Sequence, residues 1–494
     1  MYFPEKNDFV GMLDSADLVP VHRKIVADLD TPLTIFAKVA GQDPHAFLFE
    51  SMEGGEKWGR YSFIGMDSLV TFESVKDQVR WTYPGRKEEN RVENGAQPLD
   101  ELRQLLASFE VSDAPGLPRF YGGAVGFLGY DMIRFIEDIP DRHAPSGFPD
   151  SSFMVPGVVL IHDSVEQTLT IVCNLWQQDG EDAEQLYQQG CQRIEELVAA
   201  IHQPVPPDLI RQHAVEPHVF SSNMEQESFA AMVEQAKEYI LAGDIIQVVL
   251  SQRFHARSQL NPFTLYRALR HINPSPYLFY LRCGELILIG SSPEILVRLE
   301  NEAIELRPIA GTRKRGATPE EDLALEEELL ADPKERAEHL MLVDLGRNDV
   351  GRVARAGSVE VKDLLVIERY SHVMHIVSGV EGKLEPGKDQ FDVMEACFPA
   401  GTVSGAPKIR AMEIIDELET EGRGPYAGAV GYFGFSGNMD FCITIRTFIL
   451  QEDNLWIQAG AGIVADSDPA SEYEETINKS MGLRRAVELA EKGL

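Results

Sequence analysis

The sequence predicts an α+β protein built on large antiparallel β-sheets. Apolar runs of strand length recur along the whole chain and are separated by short polar turns. Helical periodicity is confined to a few stretches. Near the C-terminus, strand-like runs follow one another through turns of a few residues, which is typical of antiparallel pairing. Neither of two similar glycine-spaced runs, YGGAVGF (121–127) and YAGAVGY (426–432), is a dinucleotide-binding fingerprint, because the GxGxxG order fails and no βαβ unit follows.

The first part of the chain mixes strands with one helix. Strands are predicted at residues 46–50, 122–127 and 155–161, and a helix at 184–201. Residues 203–226 (QPVPPDLIRQHAVEPHVFSSNMEQ) carry four prolines and interrupt both periodicities. We therefore expect an N-terminal region (1–202), a linker (203–226) and a C-terminal region (227–494), which could also form one intertwined fold.

The C-terminal region begins with a helix at 227–241, which Gly243 ends because glycine tolerates positive φ. A strand follows at 245–254, and residues 285–307 read as two or three antiparallel strands. Thr318 and Asp332 each precede a proline and open a helix. The last strands, at 427–435, 441–450 and 455–464, are predicted to form a meander.

Composition and charge exclude several classes of protein. The 494 residues carry 79 acidic and 45 basic side chains, and the formal net charge of −34 opposes binding to nucleic acid or to an anionic membrane. No apolar run approaches the roughly 18 residues that a membrane span needs. The first residues lack a signal-peptide pattern, so a cytoplasmic protein is expected. The cysteines lack metal or disulfide spacing and are expected to be reduced: Cys173, Cys191, Cys283, Cys397 and Cys442.

Two acidic helix starts could hold a hard cation. Glu335 and Glu338 lie one turn apart on one predicted helix, and Glu472 and Glu475 lie one turn apart on another. Carboxylates without histidine or cysteine companions suit Mg²⁺, which uses one or two of them together with water and its ligand. A solvated helix surface is the alternative interpretation for most of these side chains.

An arginine in an apolar strand is the next candidate. Arg446 lies on the predicted strand 441–450, where a buried guanidinium needs an anionic partner. That partner could be a structural carboxylate of the chain. The glycines of QAGAG (458–462) also allow a ligand to approach the backbone closely, so a carboxylate-bearing substrate is plausible.

A glycine-rich loop and a histidine complete the candidates. The loop PAGTVSGAPK (399–408) precedes a predicted helix, whose first amides favour an anion, but it is not a Walker A loop. His375 lies in an apolar strand at 370–379 and could be either a general acid/base or a structural histidine.

Six segments together resemble the chorismate-utilising enzymes, and among them the synthase subunits of the anthranilate synthases. They are GDIIQVVLSQR (243–253), GSSPE (290–294), RPIAGT (307–312), EHLMLVDLGRND (338–349), GTVSGAPK (401–408) and QAGAG (458–462). The segments occur in the family's order. The resemblance implies a sandwich of antiparallel sheets with helices packed outside.

The resemblance further implies amination of chorismate and elimination of pyruvate to give anthranilate, the first step of tryptophan biosynthesis, with Mg²⁺ as cofactor. By motif position, Glu338 and Glu475 are the expected metal ligands, with Glu335 and Glu472 close by. The expected catalytic residues are His375, Glu294 and Thr402, and the expected substrate-binding residues are Gly311, Thr312, Tyr426, Arg446, Gly460, Ala461, Gly462 and Lys479. The division of proton transfers between His375 and Glu294 stays open.

Two positions separate this chain from related activities. The water-adding relatives have a lysine where this chain has Gln247, and glutamine cannot activate water as a base. Aminodeoxychorismate synthases typically carry PIKGT, whereas this chain has Ala310 in place of that nucleophilic lysine. Both positions favour the anthranilate-forming branch.

The resemblance also implies a partner and an inhibitor. The chain has no Cys-His-Glu glutaminase region, so ammonia is expected from a separate glutamine amidotransferase subunit in a heterotetramer of two copies of each. LFES (48–51) and NPSPYL (273–278) resemble the family's tryptophan feedback site. The residues expected to bind tryptophan are Glu50, Ser51, Pro276, Tyr277 and Leu278.

Two other functions remain possible from the sequence. An aminodeoxyisochorismate synthase would carry out the amination and stop before releasing pyruvate. A tryptophan-sensing subunit without catalysis would have lost site residues, but each position named above has a chemically competent side chain.

Overall fold

The computed structural model describes residues 1–51, 59–85, 90–207, 216–369 and 373–494. The helices are α1 (Lys6–Met12), α2 (Pro32–Val39), α3 (Pro98–Ala107), α4 (Ala183–Ile201), α5 (Gln226–Ala242), α6 (Pro262–Ile272), α7 (Pro319–Ala331), α8 (Pro333–Gly351), α9 (Gln390–Cys397), α10 (Lys408–Leu418) and α11 (Pro469–Glu491). Short 3₁₀ turns occupy Tyr130–Phe135 and Gly401–Val403.

The strands run from the N-terminus to the last helix. They are β1 (Leu18–Val26), β2 (His45–Glu50), β3 (Tyr61–Val75), β4 (Gln78–Thr82), β5 (Arg91–Asn94), β6 (Gly123–Leu128), β7 (Ser151–Asp163), β8 (Thr168–Trp176), β9 (Ser221–Ser222), β10 (Gln247–Arg257), β11 (Tyr277–Cys283), β12 (Leu286–Ser292), β13 (Ile295–Glu300), β14 (Ala303–Leu306), β15 (Ile309–Lys314), β16 (Glu360–Arg369), β17 (Val373–Lys383), β18 (Gly405–Ala406), β19 (Ala429–Gly434), β20 (Met439–Ile443), β21 (Thr447–Gln451) and β22 (Asn454–Ile463).

Two antiparallel sheets share one long bent pair of strands, β3 and β7. The register between these strands shifts at Ser68 and Val70, next to Asp67 with φ 53°, so each strand passes from one sheet into the other. The first sheet runs β1-β8-β7-β3-β2-β11-β12-β21-β22-β10. The second runs β5-β4-β3-β7-β6-β19-β20-β13-β14-β17.

Apolar side chains pack in three layers around these sheets. One cluster fills the space between the sheets, with Phe47 and Phe279 from the first and Phe127 and Tyr432 from the second. Two larger clusters pack helices onto the outer faces, and α6 and α11 cover the first sheet. The predicted α+β sandwich with helices outside is therefore confirmed.

Strands from both predicted regions alternate within each sheet. The pairs β2–β11 and β6–β19 each join residues before 202 to residues after 227. Part of the predicted linker, residues 208–215, lies outside the described residues. The end of that linker contains β9, which pairs with β10.

The predicted C-terminal meander is correct in its two hairpins, β19–β20 and β21–β22, but its middle strand is wrong. The expected strand at 441–450 is two strands: β20 pairs with β13 and β19 in the second sheet, whereas β21 pairs with β12 and β22 in the first. The chain crosses between the sheets at residues 444–446. The alternating pattern continues through this crossing, so side-chain periodicity alone cannot reveal it.

Candidate active site

The crossing between the sheets places Arg446 at the centre of the candidate site. Arg446 has φ 52°, a left-handed conformation that is uncommon for a residue other than glycine. Its carbonyl oxygen accepts a hydrogen bond from the Ser291 amide at 3.2 Å, which ties the crossing to the segment that leads to Glu294. The predicted strand position of Arg446 is therefore corrected to the connection between β20 and β21.

The guanidinium of Arg446 has no carboxylate partner among the described residues, where the ion pairs found do not include it. Burial lowers its pKa, while Tyr426 and Glu475 lie close enough to raise it partly. An arginine enclosed without a counter-ion is costly. This arrangement indicates a site that an anionic ligand completes.

Small residues on β22 keep the backbone accessible beside Arg446. A Cβ atom on Gly460 would lie 2.8 Å from the hydroxyl of Tyr426, and one on Gly462 would lie 2.5 Å from Nε2 of Gln247. Ala461 between them is buried. A side chain at position 460 would therefore collide with Tyr426 and the Leu250 carbonyl oxygen, and one at position 462 would displace the Gln247 amide.

The N-terminal parts of α8 and α11 bring three carboxylates together. Burial and the charges of Glu335, Glu472 and Glu475 raise the pKa of Glu338. Burial and Glu475 also raise the pKa of Glu472. Lys479 pairs with Glu475 at 2.6 Å and donates to the Gly460 carbonyl at 3.0 Å, so it links the acidic helix to the glycine strand.

Glu335 is held differently from the other three carboxylates. It pairs with Arg313 at 3.0 Å, and the same arginine binds Glu328 and Asp332, also at 3.0 Å. Arg313 therefore compensates the charge of Glu335 and connects β15 to α7 and α8. Glu335 also lies 3.1 Å from the position of a Cβ on Gly311, so it stays near the site.

The remaining carboxylates suit a hard divalent cation. Among the described residues, no three histidine, cysteine or carboxylate side chains come close enough to hold a metal ion unaided. Mg²⁺ typically takes one or two protein carboxylates and fills its other positions with water and substrate oxygens. Glu338 and Glu475 are the two carboxylates that suit such an ion. Their negative charges repel each other, and a bound cation would neutralise them.

Glu294 follows β12 and is buried. Burial raises its pKa to about 8, against the opposing effects of the Thr402 hydroxyl, the Ile309 amide and Lys479. The Thr402 hydroxyl is itself buried and makes no full hydrogen bond with the described residues. A carboxyl group with this pKa exchanges protons near neutral pH, as an acid/base catalyst must.

His375 lies on β17, opposite Thr312 of β15. Its Nδ1 is 3.0 Å from the Gly311 carbonyl oxygen and 3.1 Å from Oγ1 of Thr312. The carbonyl assigns the ring proton to Nδ1 and leaves Nε2 as the basic atom. Burial, together with the charge of Arg446, lowers the pKa of His375, so the neutral ring predominates. Tyr370, where the predicted strand began, lies outside the described residues.

Two buried ion pairs hold the glycine-rich loop. Lys408 donates to Asp349 of α8 at 2.8 Å. Arg423 pairs with Glu419 at 2.6 Å and donates to the Val403 carbonyl at 2.7 Å. These pairs fix the loop that carries Thr402. The sequence analysis missed both pairs, although Glu419 and Arg423 have the i,i+4 spacing of an ion pair; only Asp349 and Lys408 are far apart in sequence.

A separate pocket between the two sheets contains all five residues predicted to bind tryptophan. It has a volume of about 590 Å³. The lining residues are Phe49, Glu50, Ser51, Tyr61, Phe63, Arg119, Pro276, Tyr277, Leu278, Phe279, Arg298, Val430, Gly431, Tyr432, Asp440 and Cys442. Aromatic and charged side chains thus line one pocket that is partly open to solvent.

Every charge named in this pocket has a partner. Glu50 accepts hydrogen bonds from Arg270 at 3.0 Å and from Tyr266 at 2.6 Å. Arg298 pairs with Asp440 at 2.8 Å. The sequence analysis did not identify Arg298, although the reasoning applied to Arg446, an arginine within an apolar strand, would have found it.

Known proteins are similar to this chain over nearly its whole length. The sequence model of the chorismate binding enzyme family matches residues 46–485 of this chain. The chain is 47% identical to anthranilate synthase component 1 of Acetivibrio thermocellus, over 99% of both chains. It is 48% identical to the same component of Aquifex aeolicus, over 97% of this chain and 96% of the relative.

Solved structures give the same result. Component I of the anthranilate synthase from Streptococcus pneumoniae is 38% identical, with a TM-score of 0.77 over 93% of this chain and 99% of that one. The menaquinone-specific isochorismate synthase of Escherichia coli is 21% identical and shares the fold, with a TM-score of 0.71 over 98% of each chain. Within the described ranges, no helix combines the length and apolar character that crossing a membrane requires.

Proposed function

The chain belongs to the chorismate binding enzymes, within them to the anthranilate synthase component 1 proteins, and from this membership we propose that it converts chorismate and ammonia to anthranilate, pyruvate and water. The observation that carries the proposal is the guanidinium of Arg446, which has no ion-pair partner among the described residues and lies near Glu475, itself paired with Lys479. A substrate with two carboxylates can use both parts of such a site. One carboxylate binds the arginine, and the other binds a cation on the acidic helices.

Substrate binding follows from these charges. Arg446 and the Tyr426 hydroxyl bind the carboxylate of the enolpyruvyl arm, and Gly460, Ala461 and Gly462 allow the arm to lie against β22. Glu338 and Glu475 would hold Mg²⁺, with Glu472 close by. When bound, Mg²⁺ neutralises the ring carboxylate and the carboxylates around it. Gly311 and Thr312 present a backbone group and a hydroxyl to the ring, and Thr402 orients it.

Two proton transfers can be assigned to the two titrating residues. Glu294 is largely protonated below about pH 8 and donates to the 4-hydroxyl as ammonia forms its bond to the ring and water leaves. Neutral His375 then removes the C2 proton as the C3–O bond of the enolpyruvyl group breaks. Release of pyruvate makes the ring aromatic. Lys479 lies beside Glu294 and favours its charged form after the first transfer.

The amine donor and the inhibitor extend the proposal. A separate glutamine amidotransferase, the second component that the relatives' names imply, supplies the ammonia in a complex of two copies of each chain. Tryptophan binds in the pocket between the sheets and inhibits the enzyme. Such feedback inhibition is expected of the first step of tryptophan biosynthesis, which is the reaction proposed here. The proposed location of the enzyme is the cytoplasm. The five predicted residues that line this pocket support the regulatory part of the proposal.

The test uses the purified chain with chorismate, MgCl₂ and ammonium at alkaline pH. Anthranilate fluorescence and pyruvate are followed together, with and without EDTA and with and without tryptophan. Equal formation of both products, abolished by EDTA and suppressed by tryptophan, is the expected result. Loss of chorismate without pyruvate would instead identify an aminodeoxyisochorismate synthase. No turnover, even with a glutaminase subunit and glutamine, would contradict catalysis.

A further inference from the structure

A buried hydrogen bond connects the helix that carries Glu338 to the strand that carries His375. Nε2 of His339, the residue after Glu338 on α8, lies 2.6 Å from the hydroxyl oxygen of Ser378. Ser378 follows His375 by three residues on β17, and both His339 and Ser378 are fully buried. The bond therefore joins the two elements that carry an expected metal ligand and the expected base.

The hydroxyl of Ser378 has a defined direction. The Leu365 amide donates a hydrogen bond to its oxygen at 3.0 Å, so the hydroxyl proton is available to His339. Burial lowers the pKa of His339 to about 4, which keeps the ring neutral and leaves Nε2 able to accept. Nδ1 of this ring has no partner among the described residues. Within that part of the chain, the bond to Ser378 is therefore what fixes the ring.

Ser378 lies where both neighbours of β17 depart from regular pairing. On one side, the register between β16 and β17 shifts opposite Ser378, and Leu365 in this bulge has φ 58°. On the other side, the register between β15 and β17 shifts beside His375, and the Ser378 amide donates to the Pro308 carbonyl at 3.3 Å. Ser378 thus makes one bond to each neighbouring strand and one to α8.

Apolar packing alone would leave the offset between α8 and β17 loosely defined. Farther along α8, a Cβ on Gly346 would lie 3.6 Å from side-chain carbon atoms of Pro308 and Val380, which is ordinary van der Waals contact. Such contacts are non-directional, whereas a hydrogen bond weakens steeply as its length and angle change. The bond between His339 and Ser378 is therefore the contact that can fix this offset.

We propose that His339 and Ser378 are positioning residues, which set the separation between Glu338 and His375 through α8 and β17. This inference rests on the proposed function, in which Glu338 would hold the cation at the ring carboxylate and His375 removes the proton from the adjacent C2 atom. Glu294, the proposed acid of the first transfer, lies between β12 and β13. Displacing β17 relative to α8 should therefore impair the second transfer more than the first.

Two variants break the bond and a third keeps an acceptor in place. S378A removes the hydroxyl, H339L removes the ring nitrogen, and H339Q places an amide oxygen near the position of Nε2. Ser74 and Ser151 form another buried hydroxyl pair at 2.6 Å, between β3 and β7, which carry none of the expected catalytic or metal-binding residues. S74A is therefore the matched control for the loss of a buried hydrogen bond. Thermal unfolding checks that each variant is folded.

The assay follows chorismate, anthranilate and pyruvate together at saturating MgCl₂ and ammonia. We expect S378A and H339L to lower kcat for anthranilate formation about tenfold, because a small displacement of a catalytic group is costly. KM for chorismate should change by less than about twofold, since the groups proposed to bind the carboxylate arm lie on other elements. In both variants chorismate loss should exceed pyruvate release, because the aminated intermediate leaves before His375 removes its proton. H339Q should restore equal amounts, and S74A should match the unmodified enzyme.

The balance of products separates a positioning role from a merely structural one. Equal loss of chorismate and release of pyruvate in folded S378A and H339L would overturn the proposal, as would an excess of the same size in S74A. If S378A does not fold, H339L and H339Q provide the test: restoration in H339Q supports the proposal, and an equal excess in both overturns it. Absence of anthranilate with the unmodified enzyme would contradict the proposed function rather than the positioning pair.

Discussion

The candidate active site and the pocket between the sheets are joined by one short segment, yet their charges are balanced in opposite ways. Cys442 lines the pocket, and Arg446, just along the chain, lies in the active site. In the pocket, Arg298 and Asp440 neutralise each other at 2.8 Å. In the active site, Arg446 has no such partner among the described residues, and burial lowers its pKa.

This difference separates two kinds of binding site. The pocket is complete before any ligand arrives, so a ligand there exchanges hydrogen bonds within an existing network. The active site holds charge that is only partly compensated, because Arg446 has no ion-pair partner among the described residues, and Glu338 lies near three carboxylates with Lys334 as its cation at 4.0 Å. A dianionic substrate and a divalent cation together would satisfy both. Unsatisfied charge thus marks the place where ligand binding contributes the most free energy.

The largest expected effect is the loss of activity in R446M. Removing the guanidinium should lower kcat/KM for chorismate roughly a hundredfold, because a buried substrate carboxylate loses its charged partner. This factor corresponds to a loss of about 3 kcal/mol of transition-state stabilisation. The free energy of unfolding should stay equal or rise, since an uncompensated charge is removed. Steady-state kinetics and urea unfolding of the same preparation measure both quantities.

The matched control is R298M in the complete network of the pocket. Removing Arg298 leaves the buried Asp440 with only the longer pair to Arg119 at 3.4 Å and the Tyr277 hydroxyl, which should destabilise the fold by about 2 kcal/mol. Activity of the folded fraction should persist. A large loss of stability in R446M, or none in R298M, would contradict the comparison.

The next effect concerns the acidic helices. In the apo protein, E338Q should remove repulsion, because burial and neighbouring carboxylates raise the pKa of Glu338. A raised carboxyl pKa means that the unmodified protein loses stability as the pH rises from the ordinary value through the raised one. Thermal unfolding at two pH values tests this sign, with E327Q on the exposed side of α7 as the control.

Addition of Mg²⁺ should reverse the order of stability of E338Q and the unmodified protein. At a hundredfold excess over Kd, a bound ion stabilises the unmodified protein by about 2.7 kcal/mol. E338Q should show a much smaller shift on addition of MgCl₂, and E327Q should behave like the unmodified chain. Equal shifts in all three proteins would remove Glu338 from the metal site.

A smaller effect is expected in the pH dependence of activity. Burial raises the pKa of Glu294 to about 8, so kcat/KM at constant free ammonia should fall above that pH if Glu294 acts as the acid. E294Q should have a low rate, and its pH profile should lack the falling limb above pH 8. A limb near pH 8 that persists in E294Q would assign it to another group, and a rise above pH 8 would make Glu294 a base.

The smallest effect lies in the pocket. S51A removes one hydroxyl from the lining and should weaken inhibition by tryptophan about fivefold, the size of one hydrogen bond. The rate without tryptophan should not change. Inhibition curves for S51A and the unmodified enzyme at equal chorismate concentration give the comparison. Unchanged inhibition would show that Ser51 does not contact tryptophan.

The sequence predicted the fold class because helix-ending glycines, helix caps and apolar runs of strand length are local signals. Gly243 ends α5 with φ 84°, and Asp332 caps α8 by accepting hydrogen bonds from the amides of Lys334 and Glu335. The break at 444–446 has no such signal. Its left-handed Arg446 depends on strands β12 and β13 from elsewhere in the chain.

The candidate site residues are predictions from motif position, and the structure adds how their charges are compensated. No spacing in the sequence shows that Arg313 neutralises Glu335 or that Arg298 pairs with Asp440. Each pair joins residues from different elements. Charge balance is a property of tertiary packing, and it is the property that distinguishes the two sites.

The interdependence of Mg²⁺ and chorismate tests whether ligand binding completes the active site. Chorismate affinity can be measured by calorimetry without ammonia, when amination cannot occur, in the presence of either MgCl₂ or EDTA. The charge balance predicts that Mg²⁺ tightens chorismate binding about tenfold and that chorismate tightens Mg²⁺ binding by the same factor. Equal chorismate affinity with and without Mg²⁺ would contradict a site whose opposite charges are satisfied together.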